Sequence, residues 1–185
     1  MKKVYILLAP GFEETEAILP YDILHRARVE VQFVSVNGEP YVTSSHGVPV
    51  GTSLLLAESN LMDGDMLFLP GGMPGSINLR DSEAVDKVVR AYDAAGKWLA
   101  AVCAAPMVLG VKGLLEGQKA TCYPGFEKDL SGAEPQKKTC VRSGHFITGC
   151  GAGAGFALGR EMAAVLVGED TADAVLRQMM YQVYE

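Results

Sequence analysis

The sequence predicts an α/β fold, a three-layer sandwich in which a mainly parallel sheet carries helices on both faces. Three observations predict it. Short apolar runs rich in strand formers alternate with stretches of helical apolar spacing along the whole chain. Those runs are apolar at successive positions, as buried parallel strands are, and do not alternate with polar residues. No internal repeat or linker-like stretch divides the 185 residues, so one domain over 1–185 is expected.

The elements follow in order. Residues 3–9 (KVYILLA) form the first strand, stopped by Pro10-Gly11. Ala17, Ile18, Tyr21, Ile23 and Leu24 recur at helical spacing, which predicts a helix from Glu13 to about Arg28, kinked or broken near Leu19 by Pro20. Residues 29–36 (VEVQFVSV) read as a second strand closed by the turn pair Asn37-Gly38, and residues 41–53 as a small hairpin around Ser44–Gly47. Residues 65–70 (DMLFLP) form a further buried strand that ends at Gly71-Gly72. A helix from Ser82 to Ala95 has Ser82 as cap and Gly96 as stop. Residues 97–102 (KWLAAV) lead into Cys103 and a helix to about Val111. Strands over 119–123, 139–142 and 145–148 precede two closing helices, 153–166 and 171–182. Met179-Met180 falls on the last of these and is expected in the core or an interface.

Composition removes several classes of function. An apolar fraction of 49% excludes a disordered chain. A net charge of -6 without a Lys/Arg run offers no phosphate-neutralising patch, so no nucleic-acid partner is expected. No apolar run approaches a membrane span, and the first apolar stretch meets Glu13, Glu14 and Glu16 without a cleavage pattern. A cytoplasmic protein with no membrane association is the expectation. The four cysteines, Cys103, Cys122, Cys140 and Cys150, are then reduced thiols, and their spacings of 19, 18 and 10 residues match no zinc pattern.

In open parallel sheets ligands gather at the carboxyl ends of the strands. Three such ends carry unusual chemistry: Pro10-Gly11 with its glutamates, Gly71-Gly72, and Cys103. Ala101 and Ala105 flank Cys103 as a sharp strand-to-helix elbow requires, and Pro106 suits a first helical turn. At a helix N-terminus, free N–H groups and the dipole favour thiolate over thiol. A buried cysteine can also be a plain apolar filler, which is the reading for Cys122 and Cys140, and less firmly for Cys150 in its Gly-rich loop. The turn favours a reactive Cys103. The N–H groups of Gly71, Gly72 and Ala104 are candidates to hold an oxyanion. Two of the three early glutamates serve as ordinary helix-dipole complements, and Glu16, at the edge of the apolar stripe, is the candidate partner for the thiol.

These residues sit in longer matching stretches: Ala9 to Glu16, Leu19-Pro20-Tyr21-Asp22, Leu69-Pro70-Gly71-Gly72, Ala101 to Pro106, and Thr148 to Phe156. Together and in this order they resemble the ThiJ/PfpI superfamily, in its branch of the parkinsonism-associated protein, the protein deglycases and bacterial ThiJ-like proteins. The resemblance implies a flavodoxin-like, class I glutamine amidotransferase-like fold and a homodimer. It also implies an elbow cysteine hydrogen-bonded by a protonated glutamate, here Glu16. The implied activity is a cofactor-independent, Cys103-dependent glyoxalase or deglycase reaction on small reactive carbonyls in stress protection. The alternative is a redox-sensing dimer whose cysteine is oxidised without turnover.

Two departures stand out. Protease-type members carry His directly after the cysteine where this chain has Ala104, which disfavours a peptidase. The branch often carries His where this chain has Tyr123, a phenol and a poor proton shuttle at neutral pH. His46, in the small hairpin, is the one candidate stand-in for that imidazole, since His25 and His145 fall away from the strand ends. Gly149 to Ala154 formally fits a dinucleotide fingerprint, but no strand follows Glu169 to complete it. That loop, Gly151 included, is expected to line the site, with no cofactor and no metal.

Overall fold

A computed structural model describes residues 1–181. β1 (Lys3–Leu8) leads into α1 (Glu14–Arg26), and β2 (Glu30–Ser35) lies parallel to β1, with Leu8 beside Ser35. The hairpin of β3 (Tyr41–Thr43) and β4 (Pro49–Gly51) stands apart from the main sheet, while β5 (Leu54–Leu55) adds an edge to β2. The middle of the chain holds β6 (Met66–Leu69), α2 (Gly75–Asp81), α3 (Glu83–Ala94), β7 (Trp98–Val102) and α4 (Pro106–Gly110). The short pair β8 (Lys119–Ala120) and β9 (Glu134–Pro135) precedes β10 (Cys140–Ser143), β11 (Phe146–Gly149), α5 (Gly155–Val167) and α6 (Glu169–Gln178).

The main sheet runs β10-β11-β7-β6-β1-β2-β5, and every pairing but β10 with β11 is parallel. Side chains alternate across it. Val4, Ile6 and Leu8 pack with Ala17 of α1, Leu158 of α5 and Val175 of α6. Tyr5, Leu7 and Ala9 pack with Leu79 of α2, Val89 of α3 and Leu109 of α4. Both faces are therefore dry, which explains why the strands read as unbroken apolar runs. β1 has β2 on one side and β6 on the other, so the chain reverses its direction of growth between β1 and β6. The carboxyl ends there form a junction, at which the Glu13 N–H donates to the Gly71 carbonyl at 2.9 Å. Glu16, Gly71-Gly72 and Cys103 follow β1, β6 and β7 around it.

Several elements differ from expectation. α1 is continuous through Pro20. Proline removes one backbone bond, but its ring is buried on the face, with Ala17, Ile23 and Leu24, that packs against α5, and this packing holds the helix in one piece. α2 is absent from the sequence expectation because Gly71-Gly72-Met73-Pro74-Gly75 reads as loop punctuation. Gly75 lacks a side chain because the backbone of Phe12 lies against it. α4 is shorter than expected, since Gly110 meets the Asp129 backbone and the chain turns at Gly113, φ 74°. β8 ends at Ala120, after which the Thr121 N–H donates to the Thr148 hydroxyl at 2.9 Å. Met179 and Met180 lie beyond α6, Met179 against the core and Met180 exposed. Gln182, the expected end of the last helix, is outside the described residues.

Candidate active site

Cys103 adopts φ 63°, a left-handed conformation that costs a non-glycine residue on the order of 1–3 kcal/mol. The surroundings hold it there. Its N–H donates to the Gly149 carbonyl at 2.9 Å, and its carbonyl accepts from the Tyr123 N–H at 2.7 Å. Ala101, Ala104 and Ala105 are buried around it, so larger side chains would collide with the neighbouring strands. The elbow is thus built from small residues and two backbone bonds.

Glu16 is 2% exposed on the first turn of α1. Its backbone N–H donates to the Glu13 carboxylate at 2.7 Å, which caps the helix and orients that turn. Its own Oε2 accepts the Gly71 N–H at 2.9 Å. Gly71 therefore positions the carboxylate, and the N–H groups facing the sulfur are those of Gly72 and Ala104.

Burial pushes the Glu16 carboxyl up to about 7; the nearby Glu13 charge adds to this, while the thiol and the Gly71 N–H oppose it. Burial also pushes the Cys103 thiol up, to about 12, with the Glu16 charge and hydrogen bond adding to the rise. The N–H groups of Ala104 and Gly72 favour thiolate but are outweighed. The expected dipole-driven lowering is not found, because α4 has only five residues and the sulfur is desolvated. Thiol and carboxylate form one unit that carries a single negative charge once it has lost a proton near neutral pH.

The other named residues have different surroundings. The Tyr123 ring is 51% exposed and would touch a side chain at Gly151, so the two form a surface rim, and its link to the elbow is the backbone bond to Cys103. His46 is exposed at the hairpin turn, and its Nδ1 lies 2.9 Å from Oε1 of Glu14, not on the thiol–carboxylate pair. His145 meets Asp93 at 2.8 Å, and His25 stacks on Tyr21 at the surface. Burial pushes Cys122 up to about 11 and Cys140 up to about 12, as for packing thiols, while Cys150 is half-buried. Gly149, in the loop expected to line the site, is the partner of the Cys103 N–H; the parallel register that sets Gly149 beside Val102 is the structural cause.

A methyl group on Gly71 would overlap Glu16 Oε2, lie 2.5 Å from Cys103 Cβ and 2.9 Å from the Val102 carbonyl oxygen. Gly71→Ala is expected to cost about 1–3 kcal/mol of stability, read by urea unfolding, because two backbones and a buried carboxylate cannot yield together. Unchanged stability would mean that the close approach is not required.

The DJ-1/PfpI family pattern matches residues 2–165. Protein dj-1beta of Drosophila melanogaster is 32% identical over 181 residues, covering 97% of this chain and 97% of its own. Protein DJ-1 homolog B of Arabidopsis thaliana is 34% identical over 92% of the chain, which spans 40% of that longer relative. Among solved structures, the C103A mutant of a DJ-1 superfamily protein from Salmonella typhimurium superposes with a TM-score of 0.92 at 34% identity, covering 98% of this chain and 99% of that one. Oxidized Toxoplasma gondii DJ-1 superposes with a TM-score of 0.93 at 32% identity, covering 98% and 100%.

Proposed function

The chain belongs to the DJ-1/PfpI family, with its flavodoxin-like α/β fold, and from that premise we propose that it is a cofactor-independent, cysteine-dependent enzyme acting on small reactive carbonyls. Methylglyoxal or its thiol and amine adducts, met in the cytoplasm under stress, represent the substrate class. The observation that carries this reading is the buried Cys103–Glu16 pair, set beside two N–H groups on Gly72 and Ala104. As sulfur bonds to the aldehyde carbon, its proton passes to the Glu16 carboxylate. The carbonyl oxygen gains the electron pair of the broken π bond and is held by those N–H groups. Glu16, now protonated, returns its proton to the thiohemiacetal oxygen and, again a carboxylate, takes the proton from the former aldehyde carbon. That C–H electron pair forms an enediolate. Glu16 delivers the proton to the neighbouring carbon while the hydroxyl proton moves to the neighbouring oxygen, and water hydrolyses the resulting lactoyl thioester to lactate and the free thiol. Ala104 leaves no Cys-His dyad, so peptide hydrolysis is disfavoured. Conversion of methylglyoxal by purified protein, followed as lactate, tests the reading.

A second reading is favoured by the same two N–H groups, which could hydrogen-bond the oxygens of an oxidised sulfur. One thiol and two hydrogen peroxide molecules give a sulfinic acid and two waters. Under this reading intact mass after mild peroxide shows two oxygens confined to Cys103 and no carbonyl turnover. Oxidation spread over all four thiols counts against it.

A homodimer is proposed for either reading. Ile18, on the outer face of α1, is 42% exposed, as is Val48 in the hairpin turn, and Tyr41 of β3 is 66% exposed. Light scattering behind gel filtration is expected to give twice the chain mass, and monomer for Ile18→Glu. A monomeric parent chain would refute this. Among the described residues no helix is long and apolar enough to cross a membrane.

A further inference from the structure

A cavity of about 620 Å³ lies between the β8–β9 pair and the loop after β11, and Cys103 does not line it. Its size falls within the range of about 300–1,000 Å³ usual for small-molecule sites. Cys122 and Pro124 flank Tyr123, whose N–H donates to the Cys103 carbonyl, and Cys150 follows Gly149, whose carbonyl accepts the Cys103 N–H. The cavity and the elbow therefore share two chain segments. Its walls are held by bonds that need no ligand. The Gln136 N–H donates to the Ala120 carbonyl at 2.7 Å, the Cys150 N–H to the Thr139 carbonyl at 3.0 Å, and the Thr121 hydroxyl to the Lys138 carbonyl at 2.8 Å. The cavity is thus preformed, and the carbonyl chemistry does not use it.

Two features select the occupant. The lining is largely apolar, with Ala120, Pro124, Pro135 and the cysteines Cys122 and Cys150. Lys137 and Lys138, both exposed, border it. Lys2, Lys3 and Lys112 pair with acids and Lys97 donates to two carbonyls, whereas among the described residues Lys137 and Lys138 do neither. The one carboxylate on the wall, Glu127, accepts the Gly125 N–H through Oε2 at 2.8 Å, so two lysine cations stand against one acid. We infer that this cavity is a binding site for a small organic anion with an apolar body, of the medium-chain carboxylate class. The alkyl chain fills the apolar space, and the carboxylate stays with Lys137 and Lys138, where charge-assisted hydrogen bonds hold it at the solvent edge. A ligand charged at both ends would have to place one charge against the apolar walls, which is costly. The inference stands apart from the carbonyl reading, because the ligand needs neither Cys103 nor Glu16.

The test titrates decanoate, below its micelle concentration, into the parent and the Cys103→Ser chain by calorimetry. One decanoate per chain and the same affinity for both proteins are expected, with decanol at least about tenfold weaker. The double variant Lys137→Glu/Lys138→Glu should lower the decanoate affinity by at least about tenfold. Cys150→Phe, which fills the cavity, should do the same while the circular dichroism spectrum stays native. In the Cys103→Ser chain, saturating decanoate should protect Cys150 from alkylation by iodoacetamide, followed by peptide mass. Absence of saturable binding, equal affinity for decanol, an affinity unmoved by the lysine variant, or Cys150 left unprotected would overturn the inference.

Discussion

Cys103→Ser lowers carbonyl conversion by at least about 10³-fold while leaving the protein folded. The oxygen of serine fits the space of sulfur, and the two bonds that shape the elbow are both made by backbone: N–H to Gly149 and carbonyl from Tyr123. Fold and stability are therefore expected to persist, read by circular dichroism and urea unfolding. Activity falls because an alkoxide is far harder to form than a thiolate, and a carboxyl that titrates near 7 is too weak a base to bridge that gap. The residual rate reports what the N–H groups of Gly72 and Ala104 achieve by polarising a carbonyl on their own. Equal rates for the two proteins would remove the cysteine from the chemistry. The carbonyl reading would go with it.

Glu16→Gln gives the second large effect, with opposite signs for activity and stability. The amide can still accept the Gly71 N–H, so the geometry is kept, but it cannot take the thiol proton, and turnover falls by about 10²–10⁴-fold. The stability effect comes from proton linkage. The folded chain holds the Glu16 proton up to about 7, whereas the unfolded carboxyl releases it near its ordinary 4.5. The contribution of this group is therefore fully present below about pH 4.5, is lost as pH rises through about 7, and is gone above that. That pKa difference corresponds to on the order of 3 kcal/mol for a carboxyl this deeply buried. Glu16→Gln carries no such penalty, so urea unfolding at pH 5 and pH 8 should show its stability gaining on the parent as pH rises. A difference that stays constant with pH would place the carboxyl in ordinary solvent.

Much of this site was legible from residue order. Strands buried on both faces leave continuous apolar runs, and their carboxyl ends mark where chemistry can sit. Glu16, Gly71-Gly72 and Cys103 therefore fall together on sequence alone. Ala101 and Ala105 announced the elbow by being small. Proton placement was not legible. A cysteine ahead of a proline-started helix suggests an easily ionised thiol, but helix length and desolvation decide the matter. A five-residue helix beside a buried carboxylate decides it the other way. A glycine pair exposes two N–H groups, so Gly71 reads as an oxyanion donor. That one of them is committed to Glu16 depends on how α1 sits over β6, which no local pattern encodes. α2 was hidden behind glycines and a proline whose roles are close backbone approach to Gly11 and Phe12, not simple loop formation. The contact of His46 with Glu14 is not legible either, because it depends on the hairpin's attachment to Gly11 and Phe12.

The most direct test of the coupled pair is the rate of Cys103 alkylation by iodoacetamide against pH, followed by peptide mass on the parent chain and on Glu16→Gln. The account predicts a rise through about 7 that levels off in the parent, as Glu16 becomes able to take the thiol proton, and loss of that inflection in the variant. A parent rate that climbs steadily with hydroxide and shows no inflection near 7, or an inflection retained in Glu16→Gln, would contradict it.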